Sequence, residues 1–131
     1  MRKALTPTDL PAPFARYSHG IEVTDPARWV WCSGQLGMDD TGLIPEDAGA
    51  QTKVCFENAS KILSAAGMSL DDVVRVNAYV TDRAYMSPYM EARDTFFSAP
   101  PPASTLMIVG GFTHPDFKVE VEIVAAQQVL S

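Results

Sequence analysis

The side chains able to do nucleophilic or metal chemistry in this sequence are few and scattered. Cys32 and Cys55 both lie in apolar company, Trp31-Cys32-Ser33 and Val54-Cys55-Phe56. They form no C-x-x-C pair and no cluster with His19 or His114, the two histidines. That spacing supports no structural zinc site, and both thiols are expected to be buried or half-buried in a reducing compartment. His19, and His114 in Phe112-Thr113-His114-Pro115, each read as lone polar residues. No Ser-His-Asp order, phosphate loop or H-E-x-x-H motif accompanies them. The carboxylates of Glu120 and Glu122 stand in a run where Phe117, Val119, Val121 and Ile123 alternate with Lys118, Glu120, Glu122 and Val124. On that pattern alone Glu120 is a solvated or interface-paired strand glutamate.

The elements that would position these residues follow from period and punctuation. Pro7, Pro11 and Pro13 make residues 1–16 an extended lead-in. A hairpin is expected next, with arms at 18–23 and 29–33 around the turn Thr24-Asp25-Pro26-Ala27. Gly34, Gly37 and Gly42 then punctuate a long loop. Asp47 opens a helix whose apolar residues recur at three- and four-residue steps until Gly67. Residues 73–80 form a β-branched strand with one polar-leaning face. Ser87-Pro88 reads as an N-cap and N1 pair, opening a second helix that Pro100-Pro101-Pro102 stops. Strands at 104–109 and from Phe117 to about Val124 close the chain. The order ββ-α-β-α-ββ gives an α+β domain, residues 1–131, with one sheet face covered by two helices and the other open. An open face carrying Trp29 and Trp31 is too aromatic to stay wet, so self-association is expected.

Composition limits function. The chain has 131 residues, 47% apolar and 20% charged, with a net charge of −6. This is one globular domain large enough for its own core. Its sign repels nucleic-acid phosphates and anionic lipid, no membrane span is present, and the basic start lacks an apolar signal core. A cytoplasmic location is expected.

Several segments resemble one family in order and spacing. They are Arg16-Tyr17-Ser18-His19, Ser33-Gly34-Gln35, Gln51, Glu57-Asn58, Ile62-Leu63, Ala65-Ala66-Gly67, Asp71-Asp72-Val73, Pro102-Ala103 and Val119-Glu120-Val121-Glu122 with Ala125. These residues are similar to those of the Rid proteins, reactive intermediate deaminases also called YjgF-like. The resemblance spans about residues 11 to 127. It implies a chorismate-mutase-like α+β fold with a five- to six-stranded mixed sheet, assembled as a homotrimer with clefts between subunits. It also implies hydrolysis of small enamines and imines to ammonia and a carbonyl compound, without metal or organic cofactor.

The resemblance further nominates site residues. Glu120 matches the acid that positions or activates the hydrolytic water, a task suited to a carboxylate. Tyr17 matches a cleft tyrosine, and Ser33 and Gly34 match a cleft-lining pair. Three positions depart from the family. Ser104 stands where a carboxylate-binding arginine follows Pro-Ala, Leu106 where many members carry cysteine, and Met90 where some have asparagine. A guanidinium grips a carboxylate with charge and two bonds, whereas a hydroxyl offers one neutral bond. The substrate is therefore not expected to be a standard 2-imino acid, and 2-aminomuconate-like compounds are one alternative. Arg16, in the family's proline position, and Arg93 are the candidate replacement cations. The loop holding His114 is one residue longer than the family norm. Two other readings remain open at this point: a tautomerase or other hydrolase on the same scaffold, and a trimeric small-ligand binder. Ribonuclease activity, described for some relatives, is disfavoured by the acidic charge.

Overall fold

The structure, a computed structural model, describes residues 2–128. In chain order the elements are β1 (Arg2–Leu5), β2 (Gly20–Val23), β3 (Arg28–Leu36), α1 (Ala48–Ala65), β4 (Val73–Val80), α2 (Met86–Asp94), β5 (Ala103–Ile108) and β6 (Val119–Gln127). The six strands divide into a four-stranded sheet, β3-β6-β4-β5, and a separate ribbon, β1-β2. Only β4 and β5 run parallel, so the larger sheet is mixed.

The alternation in β6 is realised residue by residue. Val119, Val121, Ile123 and Ala125 are buried, while Glu120, Glu122 and Val124 are half-buried on the opposite face. The helix α1 lies over β3 and β6, with α2 beside it. Phe56 of α1 is fully buried, its ring 5.3 and 5.5 Å from those of Phe96 and Phe97. Asp47 caps α1 by accepting from the Gly49 and Ala50 N–H groups at 3.3 and 3.2 Å, a contribution of about 1 kcal/mol. At the other end the Gly67 and Met68 N–H groups donate to the Ser64 and Leu63 carbonyls, a Schellman ending. Both cysteines are free and buried.

Four sequence expectations need correction. The turn at Asp25-Pro26 is present, with Asp25 at φ 50°, but among the described residues its two arms share no ladder. Instead β2 pairs with β1 and β3 pairs with β6. Turn chemistry reverses a chain without choosing ladder partners. The lead-in is therefore partly a strand, concealed because Arg2-Lys3-Ala4-Leu5 holds no β-branched or aromatic residue. Next, β3 continues past Ser33 to Leu36 through a register shift between Cys32 and Gln35, so Gly34 belongs to a strand. The second helix also differs. Asp82 caps a 3₁₀ turn, Arg83–Tyr85, by accepting from Ala84 N–H at 2.8 Å, and α2 follows directly from Met86. Ser87 and Pro88 thus sit inside the first turn, where a missing N–H costs little. The helix ends at Asp94, well before the prolines, and Phe96 and Phe97 pack as irregular chain.

Candidate active site

The buried Gln51 side chain sets the entry to β6. Its amide nitrogen donates to the Pro45 and Asp116 carbonyls, both at 2.8 Å, and its oxygen accepts from Lys118 N–H at 2.8 Å. A buried amide satisfied on both ends orders its surroundings. Here it ties the loop before α1 to the start of β6, two residues from Glu120.

Glu120 then lies against Gly34 across the sheet. A Cβ on Gly34 would fall 2.7 Å from the Glu120 carboxylate, so glycine is what admits the acid there. Ser33, next to it, is exposed. Burial, and secondarily the neighbouring Glu122, raises the Glu120 carboxyl above the usual carboxylate range. The Tyr79 side chain stands opposite Glu120 in the ladder, and its phenol donates to Glu122 Oε1 at 2.7 Å. That bond, with burial and the two nearby carboxylates, raises the Tyr79 phenol. Arg75, on the same face of β4, donates to Thr105 Oγ1 at 2.6 Å. Tyr79, Glu122 and Arg75 were not nominated from sequence. The polar-leaning face of residues 73–80 was the signal that could have found the two on β4.

The other nominated residues gather elsewhere. Ser18 clamps its segment to the start of β5, its hydroxyl donating to the Pro101 carbonyl and its N–H to the Pro102 carbonyl. Beside it, the half-buried Tyr17 oxygen accepts from Phe14 N–H at 3.4 Å, and its ring meets His19 edge-on at 6.2 Å. Arg16 donates to the Phe97 carbonyl at 3.0 Å. Ser104 stands opposite the fully buried Val76, and Leu106 opposite the fully buried Ala78, both on the helix side of the sheet. The Ser104 hydroxyl oxygen is buried without a partner among the described residues. Met90 of α2 and Leu106 pack against the core.

Ser33, Gly34 and Glu120 are therefore together, whereas Ser104, Leu106 and Met90 lie on the other side of the sheet. Of the two arginines considered as replacements, Arg93 is committed elsewhere. It is 4% exposed, pairs with Asp94 at 3.0 Å and lies over the Tyr89 ring at 5.7 Å. Arg16 is exposed at the Tyr17 side. Neither histidine joins Glu120. His19 Nε2 contacts the Pro11 carbonyl at 2.7 Å, and His114 Nδ1 accepts from Asp116 N–H at 3.1 Å. No group of three or more His, Cys, Asp or Glu side chains suited to a metal occurs among the described residues. Among those residues no helix is long and apolar enough to cross a membrane.

Comparison with known proteins identifies the family. The family model described as Endoribonuclease L-PSP matches residues 7–127. The chain is 30% identical over 132 residues to a 2-iminobutanoate/2-iminopropanoate deaminase of Salmonella typhimurium, covering 98% of this chain and all of that one. A mouse protein of the same name is 29% identical over 129 residues, covering 97% of this chain and 93% of its own. Among solved structures, a Yersinia pestis protein of the Rid family superposes with a TM-score of 0.84 at 25% identity, over 96% of this chain and 98% of that one. The structure of E. coli TdcF with bound serine gives 0.73 at 27% identity, over 96% and 99%. Matched over nearly its whole length in sequence and in fold, the chain belongs to the Rid, or YjgF-like, family.

Proposed function

We propose that this protein hydrolyses a small reactive enamine or imine to ammonia and a carbonyl compound, in a cleft completed by a second copy of the chain. The observation that carries this reading is the Glu120 carboxylate, packed on Gly34 and partly withdrawn from water. A carboxylate there accepts a proton from water as the water oxygen attacks the C=N carbon. That proton passes to nitrogen to give the carbinolamine; its hydroxyl proton then moves to the amine as the C–N bond breaks and C=O forms, and ammonia leaves, with one water consumed for each C=N converted to C=O. The deaminase names of its relatives support the reaction class.

The cleft is shared in this reading because the nominated residues sit on opposite sides of one sheet. The open face supports a homotrimer with clefts between neighbouring copies. Trp31 is 76% exposed and stacks with Trp29 at a ring distance of 6.3 Å, a hydrophobic area that association would cover. Two aromatic rings of that size are a large gain when removed from water.

The substrate in this reading is not a standard 2-imino acid. Ser104 supplies no charge, its hydroxyl points to the helix side, and Arg93 is held by Asp94. Losing a charged bidentate contact costs on the order of 1.5–3 kcal/mol, or more than tenfold in affinity. Ribonuclease chemistry is not favoured on a chain of net charge −6. The test is ammonia release from 2-iminobutanoate, made by an amino-acid oxidase, against an uncharged imine made by an amine oxidase. Faster turnover of the uncharged imine supports the reading. A rate on 2-iminobutanoate equal to that of an arginine-bearing relative would remove the interpretation of Ser104. No turnover of either, with a ligand bound between copies, would favour a binding protein.

A further inference from the structure

Glu120 does not stand alone on the open face. Glu122 follows it by two residues on the same side of β6, and Tyr79 of β4 stands directly opposite Glu120 in the ladder. The Tyr79 hydroxyl nevertheless reaches diagonally past Glu120 to Glu122 Oε1, at 2.7 Å. We propose that Tyr79 and Glu122 are a positioning pair for Glu120, the phenol fastening a second carboxylate beside the first while leaving the Glu120 oxygens free for water. This rests on the reading of Glu120 as the water-activating acid.

The groups facing Glu120 from each neighbouring element support this assignment. Just before β6, Lys118 turns away, its ammonium donating to the Glu46 carbonyl and lying 5.5 Å from the Tyr85 ring centre. On β4, Arg75 is directed to Thr105. On β3, the adjoining residues Ser33, Gly34 and Gln35 carry no charge. From beneath the sheet, Cys55 of α1 feels Glu120 but is itself a buried thiol. Among the described residues, Glu122 is thus the charged neighbour whose side chain stays with Glu120, and Tyr79 is what holds it. After burial, the neighbouring Glu122 is what raises the Glu120 carboxyl, which makes the Glu120 carboxylate a stronger base for drawing a proton from water.

The experiment follows the Glu120 side-chain carboxyl by carbon NMR through an acid titration of the whole protein, for wild type, Glu122→Gln and Tyr79→Phe. Kinetics are run in parallel on the uncharged imine, with Glu120→Gln as control. Removal of the neighbouring charge is expected to lower the Glu120 midpoint by about half to one pH unit in Glu122→Gln, and Tyr79→Phe by less. The acid limb of the rate profile should move the same way with little change in KM. Midpoints unchanged in both variants overturn the pair, whatever the kinetics show. Tyr79→Phe alters no charge and preserves the ring, so it still decides the question should Glu122→Gln fold poorly. Full turnover by Glu120→Gln would overturn the catalytic reading instead, leaving the titration result to stand by itself.

Discussion

On one face of β6, Val119, Val121 and Ile123 are buried against α1, where Gln51 is bonded through three backbone partners and Thr52 to the Ala48 carbonyl, and only the Tyr89 and Ser104 hydroxyls are buried without a partner among the described residues. On the other face Glu120 and Glu122 lie together, Glu120 partly desolvated, beside exposed indole rings. The same strand thus presents a completed interior and a surface that a lone chain has no structural reason to keep. Like charges brought together out of water cost stability, and so do wet tryptophans. In the function proposed here, the water-activating acid belongs to the open side, while the covered side carries the core.

The contrast can be broken first at the covered face. Ile123→Ala should cost about 2–5 kcal/mol in urea unfolding, because its neighbours cannot fully close the cavity. A cost near zero would mean that this face is not the core. On the open face, Trp31→Ser should leave the fold intact by circular dichroism but reduce the mass measured by light scattering from that of a trimer. A wild-type monomer would remove the shared cleft.

A smaller change is expected from Gly34→Ala. Its new Cβ would collide with the Glu120 carboxylate, which can swing aside, so stability should change little while turnover falls roughly tenfold or more. Glu120→Gln should raise Tm near pH 7. A carboxyl raised in the folded state contributes stability below its unfolded value, and this is lost as pH rises through its folded value. The gain from removing the charge should accordingly fade below about pH 4. A lower Tm at pH 7 would contradict the direction. Least of all, Cys55, pushed up to about 12 chiefly by burial, should resist a thiol reagent at neutral pH until the chain unfolds.

How much of this was legible in sequence depended on whether the signal was local. The alternation of β6, the Asp47 cap and the Gly67 ending are local patterns, and all three are present in the fold. Strand pairing is not local, which is why the Asp25-Pro26 turn suggested a hairpin although its arms pair elsewhere. β1 was missed because four residues without β-branched or aromatic side chains acquire strand character only from their partner. At the site, resemblance drew attention to Gly34 and Glu120, but their contact became visible only with the β3–β6 register. Tyr79 was readable as polar-leaning strand. Its bond to Glu122 joins residues 43 positions apart, and no spacing rule reaches that far.

In the proposed reaction Glu120 activates water for C=N hydrolysis. Its most direct test is ammonia release from an uncharged imine, measured with wild-type protein and with Glu120→Gln of matched assembly. A loss of at least about a hundredfold is expected in the variant, the scale of a general base. Equal rates for the two proteins would contradict it.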